Sequence, residues 1–312
     1  MKYTKPPLTF EEQADLLLSR GMDGDRSLMI DRLGAVNYYR LSGYWHIFRM
    51  GTSHQFRPNT TFDFVWQLYI FDRRLRLLVM DAIERIEVTA RTQLAYHHSH
   101  LARSPFGYAD DPVFLPQLPP IERARFVRDI EEETAYSKET FVEHFRTKYG
   151  DNHKHMPIWV ACEIMSFGCV LTFYNGSHPD IKKQVAAPFG VHDVVFSSWL
   201  STLNTIRNIC AHHGRLWNRV LGIKPKIPEK NKHPQWHEPV EITNDRIFGI
   251  LTICKFCLDR IAPQSHWPGR LQALLDEFPK VPRSSMGIPA NWRECPIWKT
   301  MGNNYTIADF GF

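Results

Sequence analysis

The chain has 312 residues, 43% of them hydrophobic and 23% charged, and carries a net charge of +5 at pH 7. This composition is ordinary for a globular protein with a sizeable core, and it excludes a chain dominated by disorder. The mild positive charge favours a polyanionic partner such as nucleic acid without requiring one.

The cysteines and the apolar stretches indicate in which cellular compartment the protein is expected. The six cysteines lie in apolar or helical stretches rather than in the dense framework of a small secreted domain. The most apolar stretch, 158–174, contains Glu163 and falls short of the ~20 apolar residues that a membrane span needs. We therefore expect a reduced, cytoplasmic protein without a membrane segment.

Local patterns in the N-terminal third predict two helices. Thr9 and Glu12 have the spacing of a capping box, so a first helix should begin at Thr9. The aromatic stretch 37–45 gives no clear pattern. Between 64 and 97 apolar residues recur every three or four positions, which predicts one long helix that forms the spine of a helical bundle.

A proline- and glycine-rich stretch, 103–120, predicts a loop. Helical patterns then resume over the ranges 121–136, 139–149, 157–174 and 180–187. A further helix should begin at Ser197 or Ser198, either of which can cap it, and stop at Gly214. Its predicted core stripe is Trp199, Leu203, Ile206 and Cys210.

The C-terminal third begins with an irregular basic excursion over 220–240, rich in Pro, Lys and His. Two helices are predicted over 245–261 and 269–278. From Pro282 onward the chain should be extended and pack by its tryptophans. Since no strand alternation occurs, the predicted fold class is all-α, with an N-terminal helical and aromatic extension (1–60), a helical domain (61–280) and a C-terminal tail (281–312).

The polar end of the helix that precedes Gly214 carries the residues best suited to chemistry. Each helical residue advances by about 100°, so Asn208 and His212 share one polar face. Arg207, five positions before His212, would point away from it in a straight helix. The three side chains can act together only if the helix loosens at its end.

Arginine, asparagine and histidine together can cleave a phosphodiester. The guanidinium of Arg207 can hold a phosphate through two hydrogen bonds, and His212 can accept or donate a proton near neutral pH. Asn208 can orient the phosphate or the imidazole. On chemistry alone, the alternative is a histidine that caps or packs against a helix end, and the residue types leave both interpretations open.

The sequence that surrounds this motif is more specific than the motif residues alone. Residues 207–219, RNICAHHGRLWNR, resemble the signature of the AbiD/AbiF-type abortive-infection proteins, which carry a HEPN domain with an Arg-x4-to-6-His motif. Blocks similar to others of that family occur in the same order, at 37–45, 71–76, 83–91 and 166–168. The resemblance covers roughly residues 8–256.

The resemblance implies a HEPN-type helical bundle and an endoribonuclease that works without a metal or other cofactor. It further implies a role in anti-phage abortive infection or in a toxin–antitoxin pair, with a structured non-coding RNA as a possible partner. Arg207, Asn208 and His212 would be catalytic, with His213 and Arg215 in support. The alternative function is a non-catalytic protein that holds such an RNA.

We also expect a homodimer in which two motifs face each other. One motif supplies one arginine and one histidine, whereas acid–base cleavage needs one group to accept a proton and another to donate one. A twofold axis doubles the set, and HEPN relatives pair in this manner.

Three further groups have both a functional and a structural interpretation. Glu87 and Arg91 either form a surface ion pair or orient the motif and line the RNA-binding face. Aromatic rings beside an arginine could stack on bases or form a core cluster; these are Tyr38, Tyr39, Arg40, Tyr44 and Trp45. Four lysines could contact phosphates or lie on a solvated loop; these are Lys224, Lys226, Lys230 and Lys232.

The pair Cys254 and Cys257 has the two-residue gap of a zinc site. No second pair with matching spacing lies nearby, and the surrounding helix is apolar. We interpret both as core residues and expect no metal.

Overall fold

A computed structural model describes residues 2, 4 and 6–299, and within them the regular secondary structure is helical, without a β-strand. Two isolated β-bridges occur in the described residues, one between Asp23 and Thr61 and one between Arg49 and Phe56. The predicted all-α fold class is confirmed. No helix within the described ranges is long and apolar enough to cross a membrane.

The α-helices of the described residues are α1 (Phe10–Ser19), α2 (Arg26–Ala35), α3 (Tyr38–Trp45), α4 (Phe62–Ala102), α5 (Gly107–Asp110), α6 (Pro120–Tyr136), α7 (Thr140–Tyr149), α8 (Ile158–Ile164), α9 (Phe167–Gly176), α10 (Pro179–Ala186), α11 (Asp193–Ala211), α12 (Ile247–Ile261), α13 (Trp267–Glu277) and α14 (Pro296–Lys299). The predicted long helix is α4, which is 41 residues long.

The chain divides into two compact units. One comprises the residues up to Arg76 together with Ala273–Val281, and so contains α1, α2, α3 and the first part of α4. The predicted capping box is present: Thr9 Oγ1 accepts from the Glu12 N–H at 3.2 Å, and Glu12 Oε2 accepts from the Thr9 N–H at 2.7 Å. The stretch without a clear pattern is α3, whose first turn is capped by Asn37.

The other unit comprises Leu77–Gln272 and the described residues from Pro282. In it, α9 packs against α11 and α6, and α10 packs against α11. Helix α12 is predominantly apolar and is buried on all sides from Ile247 to Leu258. The buried Lys255 forms an ion pair with Asp259. The three-part division with boundaries at 60 and 280 stays a prediction, because compact packing does not measure independent folding.

Two predicted helix boundaries are wrong, one at a serine that caps a helix and one at serines that do not. The predicted helix 157–174 is interrupted where Ser166 accepts a hydrogen bond from the Cys169 N–H at 3.2 Å and starts α9. Helix α11 begins at Asp193 rather than at Ser197 or Ser198. Those serines bond to other segments, Ser197 Oγ to Asn175 Oδ1 at 2.6 Å and Ser198 Oγ to the Lys226 N–H at 2.7 Å.

Two segments predicted to be irregular contain short helices. The loop 103–120 includes α5, and the segment after Pro282 includes α14 rather than being extended throughout. Its tryptophans do pack: Trp292 and Trp298 are buried, and Trp298 Nε1 donates to Thr252 Oγ1 at 3.0 Å. The predicted tail from residue 300 lies outside the described residues.

Candidate active site

Helix α11 brings Arg207 and Asn208 to its last turn and ends at Ala211, with His212 as the C-cap. Its predicted core stripe, from Trp199 to Cys210, is buried. The backbone of His212, at φ −87° and ψ 15°, has left regular helical geometry, while its N–H donates to the Asn208 carbonyl at 3.0 Å. The regular helix therefore ends at Ala211, and the joint action of Arg207 with His212 stays a prediction.

The stop that follows is a Schellman motif with a histidine in the place usually held by glycine. The Gly214 N–H donates to the Ile209 carbonyl at 2.7 Å, and the His213 N–H donates to the Cys210 carbonyl at 3.0 Å. The residue between these bonds, His213, has a left-handed φ of +56°. This conformation costs a residue with a Cβ roughly 1 kcal/mol relative to glycine.

The predicted stop residue Gly214 takes part in this motif, but not through a positive φ. A Cβ at Gly214 would lie 3.0 Å from Ile209 Cγ2 and 3.1 Å from the Ile209 carbonyl oxygen. A side chain at Gly214 would therefore be tightly placed against Ile209. The left-handed turn is left to His213.

The segment after the stop is fixed by buried aromatic and backbone contacts. Leu216 and Trp217 are fully buried, and truncation of such a tryptophan to alanine typically costs about 3–5 kcal/mol. Arg246 Nη1 donates to the Asn218 carbonyl at 3.0 Å, which ties this segment to the residue that precedes α12. The motif is therefore held at both ends by packed structure.

The motif side chains lie on an exposed surface. Asn208, His212 and His213 are exposed, and Arg207 is half-buried. Among the described residues, the Arg207 guanidinium bonds to a neutral amide: Nη1 donates to Asn208 Oδ1 at 3.4 Å. For the His212 ring, the described region offers no hydrogen-bond or ionic partner. A guanidinium with a neutral partner and an exposed imidazole are suited to an anionic ligand.

The four predicted lysines differ in their ionic partners. Lys230 forms an ion pair with Glu238, and Lys232 Nζ lies 3.1 Å from Glu229 Oε2. Lys224 and Lys226 have exposed side chains, without an ion pair inside the described ranges. We use "basic end" for the basic side chains at the last turn of α11 and its stop, which are Arg207, His212, His213, Arg215 and Arg219.

The loop that carries these lysines is attached to α11. Trp199 Nε1 donates to the Lys226 carbonyl at 2.8 Å, and Ser198 Oγ accepts from the Lys226 N–H. Trp199 itself is fully buried. The backbone at Lys226 is therefore fixed to the first half of α11, at Ser198 and Trp199, rather than beside the motif at the end of that helix.

The Glu87 and Arg91 pair favours the structural interpretation. The two side chains form an ion pair and are 12% and 15% exposed. Arg91 Nη1 also donates to the carbonyls of Cys162 and Glu163, at 2.7 and 3.4 Å, so it caps the C-terminal turn of α8. No described hydrogen bond of this pair reaches Arg207.

The aromatic candidates separate by burial. Tyr44 and Trp45 are buried, and Tyr44 Oη donates to Asp72 Oδ2 at 2.7 Å inside a cluster with Arg76. Burial and the nearby Asp72 raise the pKa of Tyr44. These two rings fit the core interpretation, whereas Arg40 and the 85% exposed Tyr39 remain accessible to a base.

Cys254 and Cys257 are buried free thiols in α12, and burial raises the pKa of each. Without a metal, a raised pKa keeps both as thiols. Within the part of the chain that the structure describes, no group of three or more His, Cys, Asp or Glu side chains is arranged to hold a metal ion.

Sequence reasoning missed an open cleft of about 1280 Å³ along α6. We call it the acidic cleft, since its lining includes Glu122, Asp129, Glu132, Glu133, Glu139 and Glu163, with Arg125 as its basic member. Burial raises the pKa of Glu133, which accepts a hydrogen bond from the Ser166 N–H at 3.2 Å. The acidic residues of α6 recur at helical spacing, so the sequence could have indicated an acidic helix face. Nothing in the sequence indicated that residues from Glu163 to Thr172 form the rest of the lining.

Comparison with known proteins finds one relationship. A family model described as Abi-like protein matches residues 31–218, more than half of the chain, and the match includes the whole of α11 and its stop. No curated protein and no solved structure matches the chain.

Proposed function

The chain belongs to the Abi-like protein family, and from that premise we propose that it is a metal-independent endoribonuclease of the HEPN type. Family membership points to a role in abortive infection. The observation that supports the activity is the end of α11, where a fixed helix stop presents Arg207, Asn208 and His212 on an exposed basic surface. RNA is the polyanion that this surface would bind.

In the proposed reaction, the 2′-hydroxyl of one nucleotide attacks the adjacent phosphorus and the bond to the 5′ oxygen breaks. The products are a 2′,3′-cyclic phosphate and a 5′-hydroxyl. Arg207 binds the phosphate oxygens, Asn208 orients the guanidinium to which it is bonded, and His212 transfers a proton. Positive charge on protein side chains stabilises the transition state in place of a metal ion.

The experiment that tests this activity is cleavage of a labelled RNA in excess EDTA. We expect undiminished cleavage and a 2′,3′-cyclic phosphate on the upstream fragment. Loss of activity in EDTA, with recovery on addition of Mg²⁺ or Mn²⁺, would contradict the proposed chemistry. Binding without cleavage would favour the second candidate, a protein that holds a structured RNA.

We propose further that the active species is a homodimer with two motifs around one RNA. A single motif offers one catalytic histidine, and a twofold axis would supply the second proton-transfer group. Mixing inactive Arg207→Ala with inactive His212→Ala protein should then restore partial cleavage. A fully active protein that is monomeric by light scattering would rule out the shared site.

A further inference from the structure

A threonine in the last turn of α6 departs from a bonding pattern that other helical threonines of this chain keep. A threonine hydroxyl inside a helix can donate to the carbonyl one turn back. That bond, 2.9–3.2 Å long, is made by Thr89, Thr92, Thr147, Thr172, Thr202, Thr205 and Thr252. The hydroxyl oxygen of Thr134 is inaccessible to solvent and has no hydrogen-bond partner among the described residues. A ligand that accepted a hydrogen bond from it would remove this cost.

Thr134 lines an open cavity of about 190 Å³ to which both α6 and α7 contribute, and we call this cavity the α6–α7 pocket. Part of its wall belongs to the core, because Tyr108 and Ile130 are buried and Tyr108 Oη donates to the Met156 carbonyl at 2.9 Å. Pockets for drug-sized molecules have roughly 300–1,000 Å³. The α6–α7 pocket is therefore suited to a small group.

The charged side chains that line the pocket do not balance. Lys154 Nζ lies 2.9 Å from Glu131 Oε1, and His155 Nδ1 lies 3.3 Å from the same oxygen. The half-buried side chain of Arg146 has no ion pair or hydrogen bond among the described residues. Even with a neutral His155, two cations face one carboxylate, so an anion is the ligand that neutralises the pocket.

From a hydroxyl and a guanidinium that both lack protein partners in one small cavity, we infer that the α6–α7 pocket binds a phosphate group. Arg146 and Thr134 donate hydrogen bonds to its oxygens. The planar guanidinium matches two phosphate oxygens, and the hydroxyl can donate to a third. The free ion and a small phosphomonoester present the same oxygens. No residue of this pocket belongs to the motif of α11, so the inference does not depend on RNA cleavage.

The test is calorimetric titration of the full chain in an Arg207→Ala background, so that the motif does not contribute a phosphate contact. Sodium phosphate and adenosine monophosphate are titrated at neutral pH and constant ionic strength, with adenosine as the control for the nucleoside. We expect saturable binding of at least one phosphate compound and none of adenosine. Binding of sodium phosphate would show that the free ion suffices, whereas binding of the monophosphate alone would assign the pocket to a phosphomonoester.

Two substitutions locate the ligand in this pocket. Arg146→Gln and Thr134→Val should each weaken binding by about tenfold, because each removes a hydrogen bond to a charged group. Thr134→Val keeps the side-chain shape and removes a buried hydroxyl without a protein partner. The melting temperature of the ligand-free protein should therefore stay the same or rise.

Each substitution has a matched control. Arg128 is an exposed arginine of α6 whose Nε lies 3.9 Å from Glu132 Oε1, and Thr147 Oγ1 in α7 donates to the Glu143 carbonyl at 2.9 Å. Neither residue lines the pocket. Arg128→Gln and Thr147→Val should leave the affinity within about twofold of the parent protein.

Failure of both phosphate compounds to bind would overturn the inference, and so would unchanged affinity in Arg146→Gln and Thr134→Val. An equal loss in Arg128→Gln would overturn it as well, because net charge would then account for the result. A lower melting temperature of ligand-free Thr134→Val would show that the hydroxyl serves the fold and not a ligand. If phosphate binds here and RNA is not cleaved, the inference stands and the proposed ribonuclease activity fails.

Discussion

The basic end of α11 and the acidic cleft belong to the same compact unit but hold their charges differently. At the basic end, exposed side chains surround a helix terminus, and the guanidinium of Arg207 bonds to a neutral amide. In the cleft, carboxylates from α6 and α8 share one concave surface, and Glu133 is partly desolvated. A polyanion is attracted to the first surface and repelled by the second, so depth alone does not identify the site.

The largest expected effect is a loss of RNA cleavage when a motif residue at the basic end is replaced. Arg207→Ala and His212→Ala should each lower the rate of RNA cleavage by about 10²- to 10⁴-fold, because one removes the phosphate contact and the other the proton transfer. The melting temperature should stay nearly constant, since neither side chain is buried. Single-turnover kinetics and thermal denaturation measure the two quantities.

The cleft provides the matched control for these variants. Arg125 is an exposed arginine whose Nε lies 3.8 Å from Asp129 Oδ2 on the same helix. Arg125→Ala should leave cleavage within about twofold of the unmodified protein, since exposed ion pairs contribute little. If Arg125→Ala lost as much activity as Arg207→Ala, the assignment of the site to the end of α11 would be wrong.

A second prediction concerns the wall of the acidic cleft. Phe126, which lines the cleft, stacks on Phe173, and the buried His98 lies behind them with its ring 5.0 Å from that of Phe173. Neither His98 nitrogen has a hydrogen-bond partner among the described residues, and burial lowers the pKa of His98 to about 4. This histidine is therefore neutral in the folded protein at neutral pH.

The sign of the pH effect follows from proton uptake. Between pH 6.5 and pH 4 the unfolded chain protonates His98 while the folded chain does not, so the free energy of unfolding should fall as pH falls. The loss from this group should reach about 3 kcal/mol. Urea denaturation across this range should show it, and His98→Leu should reduce the slope. An unchanged slope in His98→Leu would mean that other groups control acid unfolding.

How far the sequence predicts these regions depends on the range of the interactions involved. The capping box at Thr9 and the periodicity of α4 are local, and both predictions are confirmed. The break at Ser166 is also a local cap, which the continuous apolar pattern of 157–174 concealed, and that boundary was predicted incorrectly. The start of α11 was predicted incorrectly as well, because Ser197 and Ser198 bond to distant segments and do not cap the helix. Aromatic residues such as Trp45 serve cores and nucleic-acid surfaces alike, so burial was needed to separate the two.

The motif illustrates the same limit within a few residues. Residue types alone indicate phosphate chemistry at Arg207 and His212, and glycine at 214 indicates a helix end. The glycine does not indicate which residue takes the left-handed conformation, because that residue is His213, one position earlier. The acidic cleft was missed because its two walls are formed by segments more than 20 residues apart.

The smallest predicted effect distinguishes among the lysines of the loop that follows the motif. Lys230 and Lys232 have glutamate partners, whereas Lys224 and Lys226 have none among the described residues. Lys224→Gln with Lys226→Gln should reduce the slope of log affinity against log salt by about 1.4 for a single-stranded RNA, because each phosphate contact contributes about 0.7. Lys230→Gln with Lys232→Gln removes the same formal charge but should change the slope by less than half as much, since the nearby carboxylates already offset those ammonium groups. Filter binding from 50 to 300 mM salt would measure both slopes. Equal slopes for the two double variants would show that the loop acts only through its net charge, and two slopes identical to that of the unmodified chain would assign it to the solvated surface.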